Sequence, residues 1–163
     1  MRLVITSTPC ARLESIAGVL ARLGIGCGHE TVFGPDRAAT PDADASWMAA
    51  PFFARLANPL RILQYRHLDT VVDELDASGL FAVDTPERRF ALAFGPESWR
   101  ESPELISVRR WVTHWRELAA RHAQVMWSIE RLTPSRLVEV LARAGWDRNV
   151  DDAEEALAAM GLS

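Results

Sequence analysis

The strongest constraint on the fold is an alternation of short apolar segments with longer amphipathic ones. Three apolar segments have the length and residue content of buried strands: 2–6, 59–65 ("PLRILQY") and 124–132 ("QVMWSIERL"). A fourth extended segment begins at "GIGCGHE", where three glycines end the first helical pattern. Strands that alternate with helices predict an α/β fold, with a parallel sheet covered by helices on both faces.

The sequence between the predicted strands shows helical periodicity. Ser46 is placed to cap one helix, and Pro51 inside that helix predicts a kink or a split. Trp111, Trp115 and Leu118 share the apolar stripe of another. Two stretches are predicted to be irregular, a polar surface loop at 34–45 and a connection at 96–103. The predicted helices cover 12–23, 47–56, 67–81, 85–95, 104–122, 134–144 and 151–160.

The amino-acid composition argues against several functional classes. A chain of 163 residues fits one domain, 1–163, and its net charge of −4 argues against nucleic acid as a partner. Every one of the 18 basic residues is arginine, so neither a Schiff-base lysine nor a Walker-type lysine is available. Cys10 and Cys27 match no metal spacing, and no leader or bilayer-spanning run stands out. These features predict a cytoplasmic protein with free thiols, no metal and no membrane association.

The ends of the predicted strands carry the candidate binding residues, because α/β sheets bind ligands at their carboxyl edge. The turn after the first strand leads into a helix, whose start offers free N–H groups and partial positive charge to an anion. Arg66 ends the "PLRILQY" strand and can bind a phosphate with both arms of its guanidinium. The alternative for Arg66 is a salt bridge to Asp69 or another nearby carboxylate. The turn contributes Ser7, Thr8, Pro9, Cys10, Ala11 and Arg12.

Five segments, in this order, resemble the sulfotransferase family in its bacterial and phage-type branch. The first segment stands where the family has a strand, a "GxPRSGTT" loop and a helix. The others resemble the family's "CGxE", "SSWxAAPF", "RxPxDVVxS" and Trp-helix segments. In this chain the five segments are, in order, "ITSTPCARLESIAGVLARLGI", "CGHETVF", "ASWMAAPFF", "LRILQYRHLDTVVDEL" and "VRRWVTHWRELAARHAQVMWSIERL".

The resemblance implies a three-layer P-loop-like fold and 3′-phosphoadenosine 5′-phosphosulfate (PAPS) as sulfuryl donor, without a metal. In this chain the 7–12 turn would hold the 5′-phosphosulfate and Arg66 the 3′-phosphate. Glu30 would be the general base toward a hydroxyl or amine of a small molecule or carbohydrate, with His29 as second candidate. The chain departs from the family at Cys10, where the loop normally has Arg or Lys. It also has Asp73 or a neighbour where a serine contacts the 3′-phosphate.

Two functions therefore remain open at this stage. One is an active sulfotransferase, and the other is a sulfotransferase-like binding or interaction protein that has lost PAPS chemistry. A nucleotide kinase is disfavoured because "GKS" and "GKT" are missing. Glu130 is predicted to hydrogen-bond at a buried edge, while His114 and His122 are interpreted as packing or surface residues. Trp47 is interpreted as core, with the acceptor side as alternative. The acceptor and the oligomeric state stay unassigned.

Overall fold

A five-stranded parallel sheet forms the centre of the structure, a computed structural model that describes residues 1–33, 41–80, 85–101 and 106–162. The strands lie in the order β2-β3-β1-β4-β5 and each pairs in parallel with its neighbours. This arrangement confirms the predicted α/β class. The strands are β1 (Leu3–Thr6), β2 (Cys27–His29), β3 (Ala43–Ala45), β4 (Leu60–Tyr65) and β5 (Val125–Ser128).

The helices divide into two groups by their contacts. One group is α1, α6 and α7, in which α1 packs on β2 and β3. The other is α2, α5 and a 3₁₀ helix, in which α5 packs on β4. The connection after β1 runs toward β2, and the connection after β4 runs toward β5. Right-handed connections that run in opposite directions place their helices on opposite faces of a sheet. The α-helices are α1 (Leu13–Arg22), α2 (Leu68–Ser78), α3 (Pro86–Phe94), α4 (Glu97–Glu101), α5 (Val108–Ala120), α6 (Pro134–Arg143) and α7 (Val150–Ala159).

The segment Trp47–Arg55 forms a 3₁₀ helix rather than the α-helix that its pattern predicts. Ser46 caps it as expected, since its side chain accepts a hydrogen bond from the Met48 N–H at 3.2 Å. Pro51 lies inside and has no N–H to donate, which removes one rung of an α-helical ladder. The tighter turn keeps Trp47 and Phe53 buried against the sheet.

The largest correction concerns β3. The sequence predicts a surface loop over 34–45, but Ala43–Ala45 is a fully buried strand inserted between β2 and β1. Its three residues, Ala-Asp-Ala, have low strand propensity, so the strand is formed by its two partners and not by its own pattern. The 34–40 part of that prediction lies outside the described residues.

Other boundaries also differ from the predictions. The helix predicted for 104–122 begins at Val108 and ends at Ala120, although 104–105 lie outside the described residues. The connection at 96–103 contains α4, which buries Trp99, although 102–103 lie outside the described residues. The last strand stops at Ser128 and continues as a 3₁₀ turn, Ile129–Arg131. The helix predicted for 67–81 ends at Ser78, where Gly79 adopts a left-handed φ of 64°.

Aromatic side chains fill the space between α5 and the 3₁₀ helix. Trp111 and Trp115 of the predicted stripe are 2% and 0% exposed, while its third residue, Leu118, is half-buried. Trp115 also donates its indole N–H to the Trp47 carbonyl at 2.8 Å. This cluster fixes the 3₁₀ helix beside the carboxyl edge of the sheet.

Candidate functional site

A cleft of about 470 Å³ lies at the carboxyl ends of the neighbouring strands β1 and β4, after which the chain continues toward opposite edges of the sheet. This is the switch point at which α/β sheets bind ligands. The structure brings together all the predicted site residues except Ser7, which is buried next to the cleft. The predicted residues that line it are Thr8, Pro9, Cys10, Ala11, Arg12, His29, Glu30 and Arg66.

The turn between β1 and α1 has an unusual backbone. Cys10 and Arg12 have φ values of 60° and 58°, in the left-handed region that non-glycine residues rarely adopt. Arg12 is also the N-cap of α1 and makes no side-chain cap. Left-handed non-glycine residues cost free energy and cluster at functional sites. The turn thus keeps a shape that its residues do not prefer.

Side chains from β4 hold that turn in place. Gln64 is buried and donates from Nε2 to the Ala11 carbonyl at 2.7 Å, while its Oε1 accepts from the Trp127 indole at 3.1 Å. Arg66 donates from Nη1 to the Cys10 carbonyl, also at 2.7 Å. Sequence reasoning missed Gln64 and Trp127. The available signal was a glutamine inside an apolar strand, since a buried amide needs partners.

Two hydroxyl groups in the turn are buried without a partner among the described residues. They are Ser7 Oγ and Thr8 Oγ1, in residues that are 2% and 0% exposed. A buried polar group left unsatisfied costs about 1–3 kcal/mol. Thr8 belongs to the cleft lining, next to the start of α1. The turn therefore has hydrogen-bonding capacity that the described residues do not use.

The guanidinium of Arg66 is already paired within the chain. Its Nη1 lies 2.8 Å from Glu74 Oε2, and its Nε lies 3.6 Å from Glu130 Oε1. The partner is therefore Glu74 on α2, not Asp69, which contacts Arg109 instead. Arg66 is 8% exposed, so little of it faces solvent. Glu74 lies on α2, and its carboxylate reaches back to the end of β4.

Glu30 occupies the position expected of a base at the edge of the cleft. It has a left-handed φ of 58°, and its N–H donates to the Ala45 carbonyl at 3.1 Å. Burial raises the pKa of the Glu30 carboxyl most, nearby His29 lowers it, and Asp44 and Glu87 raise it further. A carboxylate with a raised pKa is a better proton acceptor than an ordinary one. His29 itself is exposed.

A buried aspartate that the sequence did not single out positions the Glu30 loop. Asp44, in β3, accepts hydrogen bonds at Oδ1 from the Thr31 N–H at 3.2 Å and the Thr31 hydroxyl at 2.8 Å. Burial raises the pKa of the Asp44 carboxyl, and the Thr31 hydrogen bonds oppose that rise. Gly28 is required beside it, because a Cβ there would lie 1.8 Å from Thr31 Oγ1.

The described residues that line the cleft carry a net negative charge. Their carboxylates are those of Glu14, Glu30, Glu74 and Glu87, and their guanidiniums are those of Arg12 and Arg66. The Nη1 of Arg12 donates to the Gly161 carbonyl at 3.2 Å. These six groups have a formal charge of −2, which disfavours a multiply charged anion.

The remaining candidates have structural roles. Glu130 accepts from the His67 N–H at 3.2 Å, which confirms hydrogen bonding, although its side chain is 44% exposed rather than buried. His114 packs on Trp99 with ring centroids 4.9 Å apart, and burial lowers its pKa. Trp47 lines the cleft but is 3% exposed and packs on Phe90.

The two thiols are expected to react at different rates. Burial, followed by the charge of Asp44, raises the pKa of the Cys27 thiol to about 12. Burial and Glu74 also raise the pKa of Cys10, but Arg66 opposes them and Cys10 lines the cleft. Because the thiolate is the reactive form, Cys27 should react with a maleimide at pH 8 at least about tenfold more slowly than Cys10. Mass spectrometry of Cys10→Ser and Cys27→Ser proteins measures both rates, and equal rates would contradict this assignment.

No family model, curated protein or solved structure matches the chain. Across the described ranges, no helix combines the length and apolar character that crossing a bilayer requires. Those ranges also contain no group of three or more His, Cys, Asp or Glu residues placed to hold a metal ion.

Proposed function

We propose that this chain is a sulfotransferase-like α/β protein whose cleft binds a small molecule without using PAPS. It would be a cytoplasmic, catalytically degenerate member of the P-loop-like architecture that the sequence resemblance implies. The cleft is open and lies at the switch point, which supports binding. Its charge and its paired cations argue against the sulfuryl donor.

The contact between Arg66 and Glu74 carries this proposal. The sequence resemblance assigns Arg66 to the 3′-phosphate and expects a serine on the following helix, at Asp73 or a neighbour. We assign that position to Glu74, because its carboxylate lies 2.8 Å from the guanidinium. A carboxylate there fills the place of an anionic group and repels a phosphate that approaches it. The intact pair therefore competes with the donor for Arg66.

PAPS-dependent sulfuryl transfer to a hydroxyl or amine is the second candidate. It is favoured by the position of Glu30 in the same cleft as the N-terminus of α1 and the unpartnered Thr8 hydroxyl. Sulfuryl transfer depends on positioning and on stabilising the leaving group, which helix N–H groups and hydroxyls can supply. In that case Glu30 would accept the proton of the acceptor group.

Titration with 3′-phosphoadenosine 5′-phosphate (PAP), the desulfated donor, separates the two functions. A ligand that prefers the folded state raises the melting temperature once its concentration exceeds Kd. We expect no rise for the wild-type protein at millimolar PAP. A rise that Arg66→Ala weakens would reject the proposal in favour of the enzyme. Under that outcome Glu30→Gln should still bind PAP but fail to transfer sulfate.

A further inference from the structure

We propose that the loop at residues 30–33 is a pH-sensitive edge of the cleft, closed while Asp44 is protonated and loosened when Asp44 ionises. The loop directly follows β2 and carries Glu30, which lines the cleft. Loosening the loop would therefore change both the shape of the cleft and the position of its candidate base. The inference concerns a titration within the chain and does not depend on which ligand the cleft binds.

Hydrogen bonds to β3 hold this loop in its closed position. Asp44 Oδ1 accepts from the Thr31 N–H at 3.2 Å and from the Thr31 hydroxyl at 2.8 Å. One residue earlier, the Glu30 N–H donates to the Ala45 carbonyl at 3.1 Å. The place of Glu30 at the cleft therefore depends on how well β3 tolerates the side chain of Asp44.

The second carboxyl oxygen of Asp44 is the unfavourable part of this contact. Asp44 is 0% exposed, and its Oδ2 has no hydrogen-bond partner among the described residues. A Cβ added to Gly28 would lie 1.8 Å from Thr31 Oγ1 and 2.6 Å from Asp44 Oδ1, so this side of the contact has no room for water. An ionised carboxyl that is buried and incompletely hydrogen-bonded costs free energy that the neutral acid does not. Ionisation of Asp44 therefore opposes the closed loop.

The charges around Asp44 only partly offset that cost. The elements that pack on β3 are β1, β2 and α1, and β1 carries no charged residue. The titratable and charged groups of the other two elements and of the loop are Glu14 and Arg22 of α1, Cys27 and His29 of β2, and Glu30. Of these, His29 favours the ionised form of Asp44, whereas the charge of Asp44 raises the pKa of both Cys27 and Glu30.

The net effect sets the direction of the response to pH. Burial raises the pKa of the Asp44 carboxyl, and the N–H groups of Thr31 and Val32, the Thr31 hydroxyl and His29 lower it without cancelling the rise. A carboxyl whose pKa is higher in the closed state than in water binds its proton more tightly when the loop is closed. The stability of the closed loop is therefore complete below the ordinary pKa of an aspartate and falls as the pH rises through the raised value.

A purely structural role would not require a carboxyl at this position. An asparagine could accept both bonds from Thr31 through its own Oδ1 and would carry no charge into the sheet. The carboxyl of Asp44 adds a buried charge that appears and disappears with pH. This difference between aspartate and asparagine is what the experiment measures.

Amide hydrogen exchange followed by NMR on the wild-type protein detects the loosening. The quantity compared is the protection factor of the Thr31 N–H, which is corrected for the intrinsic dependence of exchange on pH. We expect it to fall at least about fivefold as the pH rises through the titration of the Asp44 carboxyl, read from the ¹³C shift of that side chain. A protection factor that stays constant or rises over this range would overturn the inference.

Variants separate the charge of Asp44 from its hydrogen bonds. At pH 7, Asp44→Asn should protect the Thr31 N–H at least about fivefold more than wild type and should remove the dependence on pH, whereas a merely structural Asp44 predicts lower protection. Glu30→Gln should keep the wild-type pH profile, and so should the matched control Asp76→Asn, an exposed residue of α2. Lower protection in Asp44→Asn, or loss of the profile in Glu30→Gln, would reject the proposal. If Asp44→Asn does not fold, the wild-type profile alone decides.

Discussion

Glu74→Ser should give the protein an affinity for PAP that the wild type lacks. The substitution removes the carboxylate that lies 2.8 Å from Arg66 and places a hydroxyl at the corresponding turn of α2. The freed guanidinium can then form charge-assisted hydrogen bonds to a phosphate. Hydrogen bonds to charged groups contribute about 1.5–3 kcal/mol, so we expect at least about tenfold tighter binding than in the wild type.

Thermal unfolding with and without PAP measures this gain. If the variant binds with a Kd one hundredth of the ligand concentration, PAP stabilises it by roughly 2.7 kcal/mol. For a chain of this length, that corresponds to a rise in Tm of about 5–10 °C. The unliganded variant should lose no more than about 1 kcal/mol, because the Glu74 side chain is 46% exposed and its ion pair is partly screened.

Two controls separate the loss of a particular carboxylate from a general change in charge. Asp73→Ser makes the same change in charge one residue away, on an exposed side chain, and should not create PAP binding. Adding Arg66→Ala to Glu74→Ser should abolish the gain. If Asp73→Ser responds to PAP as strongly as Glu74→Ser, or if the wild type already responds, Glu74 does not block the site.

The sequence predicts the parts of this fold that depend on local pattern. β1 and β4 are apolar runs with branched side chains, and α1 and α5 have clear apolar stripes, so their residues identify them directly. β3 is different, because Ala43–Ala45 becomes a strand only between two neighbours that are distant in sequence. A short segment of weak propensity cannot reveal such pairing.

The same distinction between local sequence pattern and long-range contacts applies to the candidate site. The strand-end rule places the 7–12 turn and Arg66 at one edge, and the family resemblance adds Glu30. All of these residues except Ser7 line one cleft. The rule does not predict where long side chains reach. Arg66 and Glu74 are separated by two turns of helix α2 in sequence, and their contact depends on how that helix packs. The sequence does not reveal Asp44, because its segment has the composition of a loop and becomes a strand only between β1 and β2.

The hydrogen bonds of Gln64 contribute both to the stability of the fold and to the shape of the site. We therefore expect Gln64→Leu to disturb both. Leucine fills most of the volume but leaves the Ala11 carbonyl and the Trp127 indole N–H without their partner. Those residues are 1% and 4% exposed, so each lost hydrogen bond leaves a buried polar group at a cost of about 1–3 kcal/mol. Allowing for the added apolar surface, we expect a loss of roughly 2–4 kcal/mol in the free energy of unfolding.

Urea unfolding of Gln64→Leu beside Gln124→Leu tests this expectation. Gln124 accepts from the Arg61 N–H at 3.0 Å but is exposed, so water can replace it and its loss should cost about 1 kcal/mol or less. Trp127→Phe removes the same indole donor, and combining it with Gln64→Leu should cost less than the sum of the two single changes. Because the released turn contains Cys10, maleimide should modify Cys10 faster in Gln64→Leu than in wild type. Equal stability of the two glutamine variants would show that Gln64 does not hold the turn.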